Sequence, residues 1–212
     1  MTAQNSIGLL RDCAPEHIRV HTDRNGFRSF GVYDNQGDPR AFGGGDVRIP
    51  NLIGARVRER TVDRMFKVPE SPEGRLLVSI QDLLSTVDDE PDAFLDMEFS
   101  DWMSVMAGVL ECLPVKWVRH STLSKMLHRK RPHLVPIHDS RLRDFYRCDE
   151  ENLWETVHRD WRANRALLEE WRGEATCPDG RRLSLLRVAD MAIWEHESNG
   201  CAMSRALPVH DN

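Results

Sequence analysis

The sequence predicts a mainly α-helical fold, an orthogonal helical bundle, preceded by a small N-terminal β-hairpin. The helical prediction depends on apolar residues that recur at helical spacing from Asn51 onward. Several of these helices are short and their connections contain proline, which favours an orthogonal bundle over an up-and-down one. Alternation of apolar and polar residues between turn signals predicts the hairpin.

The length and composition fit a single globular domain, because 212 residues with a hydrophobic fraction of 40% suffice for a substantial core. We expect a β-hairpin and connector over residues 1–45, a helical core over 46–199 and a flexible tail over 200–212. No internal repeat or low-complexity segment interrupts these parts.

The predicted hairpin lies in the first forty residues. Ile18 and Val20 alternate with polar neighbours, Asp23–Gly26 supplies turn residues, and Phe27–Tyr33 is rich in β-type residues. The glycines of Gly43–Gly45 then lead to the first helix. Because no Walker lysine and no G-x-G-x-x-G spacing accompany them, they predict a flexible connector rather than a phosphate-binding loop.

Three stretches of the core have the clearest helical pattern. Ser100 supplies an N-cap for an apolar stripe that ends at Leu113. Residues 152–172 repeat every seven residues and predict one long amphipathic helix. Leu183–Glu197 is expected to form the last helix, with its apolar residues turned inward.

The charges are unevenly distributed along the chain. The formal net charge is −5, yet the stretch 114–147, here called the basic island, contains only two acidic residues, Asp139 and Asp144. Its Lys and Arg residues are Lys116, Arg119, Lys125, Arg129, Lys130, Arg131, Arg141, Arg143 and Arg147. Exposed cations in such a stretch can bind an anionic partner, either nucleic acid or an acidic protein.

An internal role for the basic island is the alternative, in which acidic residues elsewhere in the fold neutralise it. Asp190 lies on the apolar face of the last helix, where a carboxylate needs a cationic partner. On this alternative we expect Asp190 to pair with Arg129 or Arg131.

Asp139 follows an apolar connection and precedes the next helical pattern. The connection is Leu134–Ile137, and the carboxylate after it occupies a position where Asp is an effective N-cap. A chemical role beyond the cap is the second possibility for this residue, since a carboxylate facing a cleft can stabilise a developing cation.

The sequence predicts no cofactor and no metal site. The cysteines number five, are widely scattered and include no Cys-x-x-Cys pair, which argues against a disulfide framework and against zinc. Four histidines lie within the basic island, but only His133 and His138 are close, without a third clear ligand. No apolar run has the length of a signal peptide or a membrane span, so we expect a cytoplasmic protein without a membrane partner.

The run Ser124–Ser140 resembles the core of an uncharacterised bacterial family, with the pattern S-K-L-L-x-R-K-R-P-x-L-x-P-x-x-D-S. The resemblance extends from about Phe42 to Trp194. More distantly, a helix, a tight turn, a helix, an apolar proline segment and an aspartate at a helix start are similar to the helix-hairpin-helix DNA glycosylases. That resemblance implies a glycosylase-like fold, a phosphate-binding hairpin at Pro114–Ser121 and a catalytic carboxylate at Asp139.

The chain departs from the glycosylase pattern at two places. Its hairpin turn lacks glycine, and no lysine stands near His120, where bifunctional glycosylases have one; Lys125 is the nearest downstream. The resemblance therefore implies a monofunctional enzyme or a non-enzymatic relative.

Two functions follow from these observations. One is a nucleic-acid-binding protein of the DNA N-glycosylase type that uses Asp139, and the other is a non-enzymatic module whose basic island binds nucleic acid or an acidic protein. The residues predicted to contact nucleic acid are Lys116, Arg119, Lys125, Arg129, Lys130, Arg131 and Arg141.

Overall fold

A computed structural model describes residues 6–24, 32–175, 180 and 182–201 of the chain. Over these residues the secondary structure is helical, which confirms the mainly α-helical prediction. The helices are α1 Ala14–Arg24, α2 Gly44–Arg48, α3 Glu59–Lys67, α4 Pro72–Thr86, α5 Ala93–Asp96, α6 Phe99–Leu110, α7 His120–Lys130, α8 Ser140–Tyr146, α9 Leu153–Ala163, α10 Arg165–Glu174 and α11 Leu185–Asn199. Within the same residues, no helix combines the length and apolar character needed to cross a bilayer.

The chain divides into two compact units. The described parts of Met1–Gly26 and Ser140–Asn212 form the first unit, and those of Phe27–Asp139 form the second. The first unit therefore joins both ends of the chain and contains α1 and α8 to α11. The second contains α2 to α7 and the 3-10 helix Ile49–Ile53.

In the first unit, α11 packs against α1, α8 and α10. Its start is fixed by Ser184, whose Oγ accepts a hydrogen bond from the Arg187 backbone N–H at 3.1 Å. Every residue in 185–193 is buried, so this helix is covered on all sides. The prediction of an inward-facing last helix is confirmed.

In the second unit, α4 packs against both α3 and α6. The buried residues of α6 are Trp102, Met106 and Val109, spaced as one helical face. The indole N–H of Trp102 donates to the Leu134 carbonyl at 2.9 Å, which satisfies a fully buried donor. The predicted core helix is confirmed, although it begins at Phe99 with Glu98 as its N-cap residue.

The first strand of the predicted hairpin is wrong, because Ile18 and Val20 lie in helix α1. The buried residues around them follow a helical stripe rather than an alternation, but three of them are polar and hide the stripe from a hydrophobicity pattern. This stripe consists of Cys13, Ala14, His17, Ile18, His21 and Thr22. The described chain contains no strand, and most of the second predicted strand, residues 27–31, lies outside the described residues.

Two further boundaries differ from the predictions. Residues 152–172 form two helices, because Asn164 leaves helical geometry and its Nδ2 donates to the Asp160 carbonyl at 2.9 Å. Gly44 and Gly45 begin α2 instead of forming a connector. Of the predicted tail, only Gly200 and Cys201 lie within the described residues.

Candidate functional site

The basic island is distributed over both units, and most of its predicted contact residues are not on the surface. Four of the seven cations predicted to contact nucleic acid are buried: Lys125, Arg129, Lys130 and Arg131 have exposed fractions of 6%, 7%, 2% and 1%. Lys116 and Arg119 are exposed, and Arg141 is half-buried. The exposed part of the basic island in the second unit is therefore short.

Arg129 and Lys130 share one buried carboxylate. Asp46 Oδ1 accepts from Arg129 Nε at 3.0 Å and lies 2.9 Å from Lys130 Nζ. Both cations also bind backbone carbonyls. Arg129 Nη1 donates to the carbonyls of residues 32 and 33, and Lys130 Nζ to those of residues 36 and 38. These contacts hold the segment before α2 against α7.

Arg131 is satisfied entirely by backbone. Its guanidinium donates to the carbonyl oxygens of Leu84 (2.6 Å), Val87 (2.8 Å), Pro39 (2.8 Å) and Lys130 (2.9 Å). Burial lowers the pKa of Arg131 from its ordinary value, but an arginine retains its charge in proteins. A fully bonded, buried guanidinium is a structural group.

Arg129 and Lys130 of the basic island are thus neutralised inside the protein, as the internal alternative required, and the acidic residue that pairs with them is Asp46. Asp190 pairs with Arg187, one turn away on the same helix, and both side chains are buried. Arg129 and Arg131, which we expected to pair with Asp190, are bonded to Asp46 and to backbone carbonyls of the second unit.

The exposed cation Lys116 lies inside a tight turn between α6 and α7, and the exposed Arg119 follows this turn. Val115 and Val118 exchange backbone hydrogen bonds of 3.3 and 2.9 Å, which closes the turn. Trp117 occupies the position before Val118 with φ +70°, a left-handed conformation that favours glycine. Its side chain is 44% exposed.

The guanidinium of Arg58 lies over the ring of Trp117, with Cζ 3.8 Å from the ring centroid. Arg58, Lys116, Trp117 and Arg119 are all exposed and belong to the second unit; we call them the Trp117 surface. Sequence reasoning missed Trp117 and Arg58. The signal for the first was present, since the run K-W-V-R has an aromatic ring, a group on which bases stack, between two cations.

Asp139 lies immediately before α8 and is nearly buried, with an exposed fraction of 8%. Its Oδ2 is 3.8 Å from Nζ of Lys125, which is also buried. The preceding backbone N–H, of His138, donates to Ser124 Oγ at 2.9 Å and ties the connection to α7. Asp139 therefore belongs to a buried ion pair as well as a helix start.

Arg141, the remaining predicted contact residue, belongs to the first unit. Its Nη1 donates to the carbonyl of Glu197 at 3.3 Å, at the end of α11. This half-buried side chain has an internal role at a helix C-terminus, where a cation is favourable.

The structure also brings together four side chains that the sequence analysis did not connect. The ligand atoms of Cys13, His17, His196 and Cys201 all lie within 4.8 Å of one another in the first unit, and the two cysteines form a disulfide. The sequence argued against a disulfide framework and did not predict this single bond. The pairs C-x3-H and H-x4-C stand at opposite ends of the chain, with a sequence separation of 188 between the cysteines, and short spacing rules do not detect them.

Comparisons with known proteins add one finding. The model of a family of unknown function, DUF6308, matches residues 15–197. No curated protein and no solved structure matches the chain.

Proposed function

We propose that this chain, which belongs to the DUF6308 family, binds nucleic acid through the Trp117 surface. The observation that carries the proposal is the exposed Trp117 indole in a left-handed turn, with the Arg58 guanidinium over its face. Aromatic rings and guanidinium planes are the groups on which unpaired bases stack, and Lys or Arg beside them contact phosphates.

The backbone at Trp117 supports a role beyond folding. A bulky residue at positive φ costs about 1–2 kcal/mol relative to the right-handed conformation, whereas glycine adopts it without penalty. Such residues concentrate at binding sites, where the position of the side chain compensates for the strain. In this conformation the large apolar ring of Trp117 lies at the tip of the turn and is 44% exposed, instead of lying in the core.

The electrostatics of the Trp117 surface are cationic. Arg58 lies over the ring, Lys116 and Arg119 are exposed cations close to Trp117 in the chain, and Glu59, which follows Arg58, is paired with Arg48 at 2.7 Å. This pair offsets the acidic charge next to the surface. Exposed cations near an aromatic ring suit single-stranded nucleic acid, because the cations can contact phosphates while an unstacked base lies on the ring.

The order of the elements supports the same proposal and a glycosylase-like fold for the second unit. Helix α6, the Val115–Val118 turn, α7, the apolar connection and Asp139 follow each other as in the helix-hairpin-helix glycosylases that the sequence resembles. The glycosylase hairpin has glycine in its turn, whereas here Trp117 adopts a positive φ in the turn. In this chain we expect stacking at the turn rather than close backbone approach to a phosphate.

Fluorescence anisotropy with labelled single-stranded and duplex DNA, titrated at several salt concentrations, tests the proposal. Three phosphate contacts give a slope of log K against log salt of about −2.7 on duplex and about −2.1 on single strands. We expect the single strand to bind more tightly, because its bases are free to stack. Absence of binding to either at low salt rejects the proposal and leaves an acidic protein as the partner of these cations.

Base excision is the second candidate function, and the position of Asp139 favours it. Asp139 follows the apolar connection in the chain, as the resemblance implies for a catalytic carboxylate, and its side chain is 8% exposed and 3.8 Å from Lys125 Nζ. As a monofunctional N-glycosylase, the protein uses Asp139 to stabilise the cationic sugar or to orient water. Release of free base from a panel of damaged duplexes is the test, and binding without release leaves a non-enzymatic binding module.

A further inference from the structure

A cluster of two cysteines and two histidines lies in the first unit, apart from the residues of the proposed function. His17 lies in the first turn of α1 with Cys13 immediately before that helix, and His196 lies in the last turn of α11 with Cys201 two residues after its end. Their ligand atoms lie within 4.8 Å of one another, and Cys201 Sγ is 3.6 Å from His17 Nε2. These are the separations of donor atoms that surround one ion rather than of scattered side chains.

Local backbone geometry places each pair of donors side by side. The His17 backbone N–H donates to the Cys13 carbonyl at 3.0 Å, so these two residues lie one helical turn apart on the same face. At the other end, the Gly200 N–H donates to the His196 carbonyl at 2.7 Å and Gly200 has φ +66°. This left-handed glycine ends the helix and brings Cys201 back beside His196.

We propose that the four side chains bind one Zn²⁺ when both cysteines are reduced. Two thiolates and two imidazoles are a preferred donor set for zinc, and four protein ligands complete its tetrahedron. The ion is therefore structural, without an open position for catalysis. An independent observation supports it: His196 Nδ1 is buried and has no hydrogen-bond partner among the described residues.

A network one helical turn away holds the two helices in position for the ion. His21 Nδ1 is hydrogen-bonded to Glu195 Oε1 at 2.9 Å, and the Asn199 amide donates to the other oxygen of this carboxylate at 2.5 Å. His21 follows His17 by one turn, and Glu195 precedes His196. The zinc would thus link the N-terminal and C-terminal helices of the chain where they already pack.

The disulfide between Cys13 and Cys201 and the zinc complex exclude each other, because each sulfur has one partner or the other. A phosphine reductant and one water convert the disulfide into two thiols and a phosphine oxide. Zn²⁺ then displaces the two thiol protons and takes both sulfurs as thiolates. The reduced chain is therefore the form to test.

The test uses the full chain, reduced with a phosphine, stripped by a chelator and titrated with Zn²⁺ alone against a chromogenic competitor. We expect one Zn²⁺ per chain and a higher melting temperature on binding. Titration with Co²⁺ should give the intense visible bands of a tetrahedral ion and a thiolate-to-cobalt charge-transfer band. Their absence in the wild type overturns the proposal without any variant.

Variants separate a zinc site from a disulfide alone. His17→Ala and His196→Ala should each weaken Zn²⁺ binding at least tenfold, because both histidines are ligands. Cys148→Ser, at a free cysteine of the same unit, should bind as the wild type does. If the two histidine variants bind Zn²⁺ as well as Cys148→Ser, the proposal is overturned and the cluster is a disulfide beside two histidines.

Discussion

Arg129 Nε donates to Asp46 Oδ1 across 3.0 Å, and both side chains are buried. The same oxygen lies 2.9 Å from Lys130 Nζ, so one carboxylate serves two consecutive cations of α7. The positive charge of the basic island is thus largely internal in the second unit, where its exposed cations are Lys116 and Arg119.

Asp46→Ala should destabilise the protein by about 3–5 kcal/mol, because it leaves two buried cations without their carboxylate. The control is Asp63→Ala, whose pair with Lys67 is exposed to solvent and should contribute little to stability. Urea unfolding of the three proteins measures both effects. Equal, small losses would show that Arg129 and Lys130 are satisfied by carbonyls alone.

Trp117→Gly should leave the free energy of unfolding within about 1 kcal/mol of the wild type. The relief of left-handed strain, about 1–2 kcal/mol, offsets the lost contact with Arg58, about 0.5–1 kcal/mol. Single-stranded DNA should bind roughly 5- to 150-fold more weakly, since a stacked base contributes about 1–3 kcal/mol. Val78→Ala, at an exposed apolar residue of α4, is the control for binding. A large loss of stability in Trp117→Gly, with unchanged affinity, would make Trp117 a structural residue.

Tyr146→Phe should cost about 1–3 kcal/mol at neutral pH. The phenol donates to Asp160 Oδ2 at 2.8 Å and accepts from the indole N–H of Trp161 at 2.8 Å, so the change leaves a buried donor unsatisfied. Thermal or urea unfolding measures the loss. An unchanged free energy of unfolding would mean that water replaces the hydroxyl.

The same tyrosine predicts a loss of stability at alkaline pH. Burial, followed by the nearby Asp160 carboxylate, raises the pKa of Tyr146 well above its ordinary value. Above pH of about 10 the unfolded chain releases this proton and the folded chain retains it, so the free energy of unfolding falls as pH rises. Tyr146→Phe lacks this contribution and should show a shallower decline.

Asp139→Asn should destabilise the protein even though Asn caps a helix as well as Asp does. The reason is Lys125, whose buried ammonium loses its carboxylate, at a cost of about 3–5 kcal/mol. The double variant Asp139→Asn/Lys125→Met removes both charges and should recover most of the loss. No recovery would mean that Lys125 and Asp139 contribute to stability independently.

How much of the fold could be predicted depended on how apolar each stripe is. Helices α6 and α11 could be predicted because their inward faces consist of apolar residues at helical spacing, as at Trp102, Met106 and Val109. Helix α1 could not be predicted in this way, because its buried face includes the polar residues His17 and His21. His21 is buried with a hydrogen-bond partner, Glu195, that lies far away in the sequence. A hydrophobicity pattern contains no information on partners distant in sequence.

The same limit applies to the candidate site. Asp46 and Arg129 are 83 positions apart in the sequence. Arg131 binds backbone carbonyls, which every residue type has, so no residue type in the sequence indicates these partners. The sequence alone therefore could not show that these cations are buried. Lys116 and Arg119 are exposed because they lie in a short, proline-containing connection, and such connections run over the surface.

The most direct test of a nucleic-acid interface at the Trp117 surface is the salt dependence of DNA binding by Lys116→Ala/Arg119→Ala. The control, Lys67→Ala/Arg75→Ala, removes two exposed cations of the same unit that do not belong to the Trp117 surface. Lys67 is at the C-terminal end of α3, whereas Arg58 of the Trp117 surface precedes the N-terminal end of that helix. If the proposal is correct, the first variant shows a slope of log K against log salt that is less steep by about 2, and the control keeps the wild-type slope. Identical slopes for the wild type and both variants would contradict it.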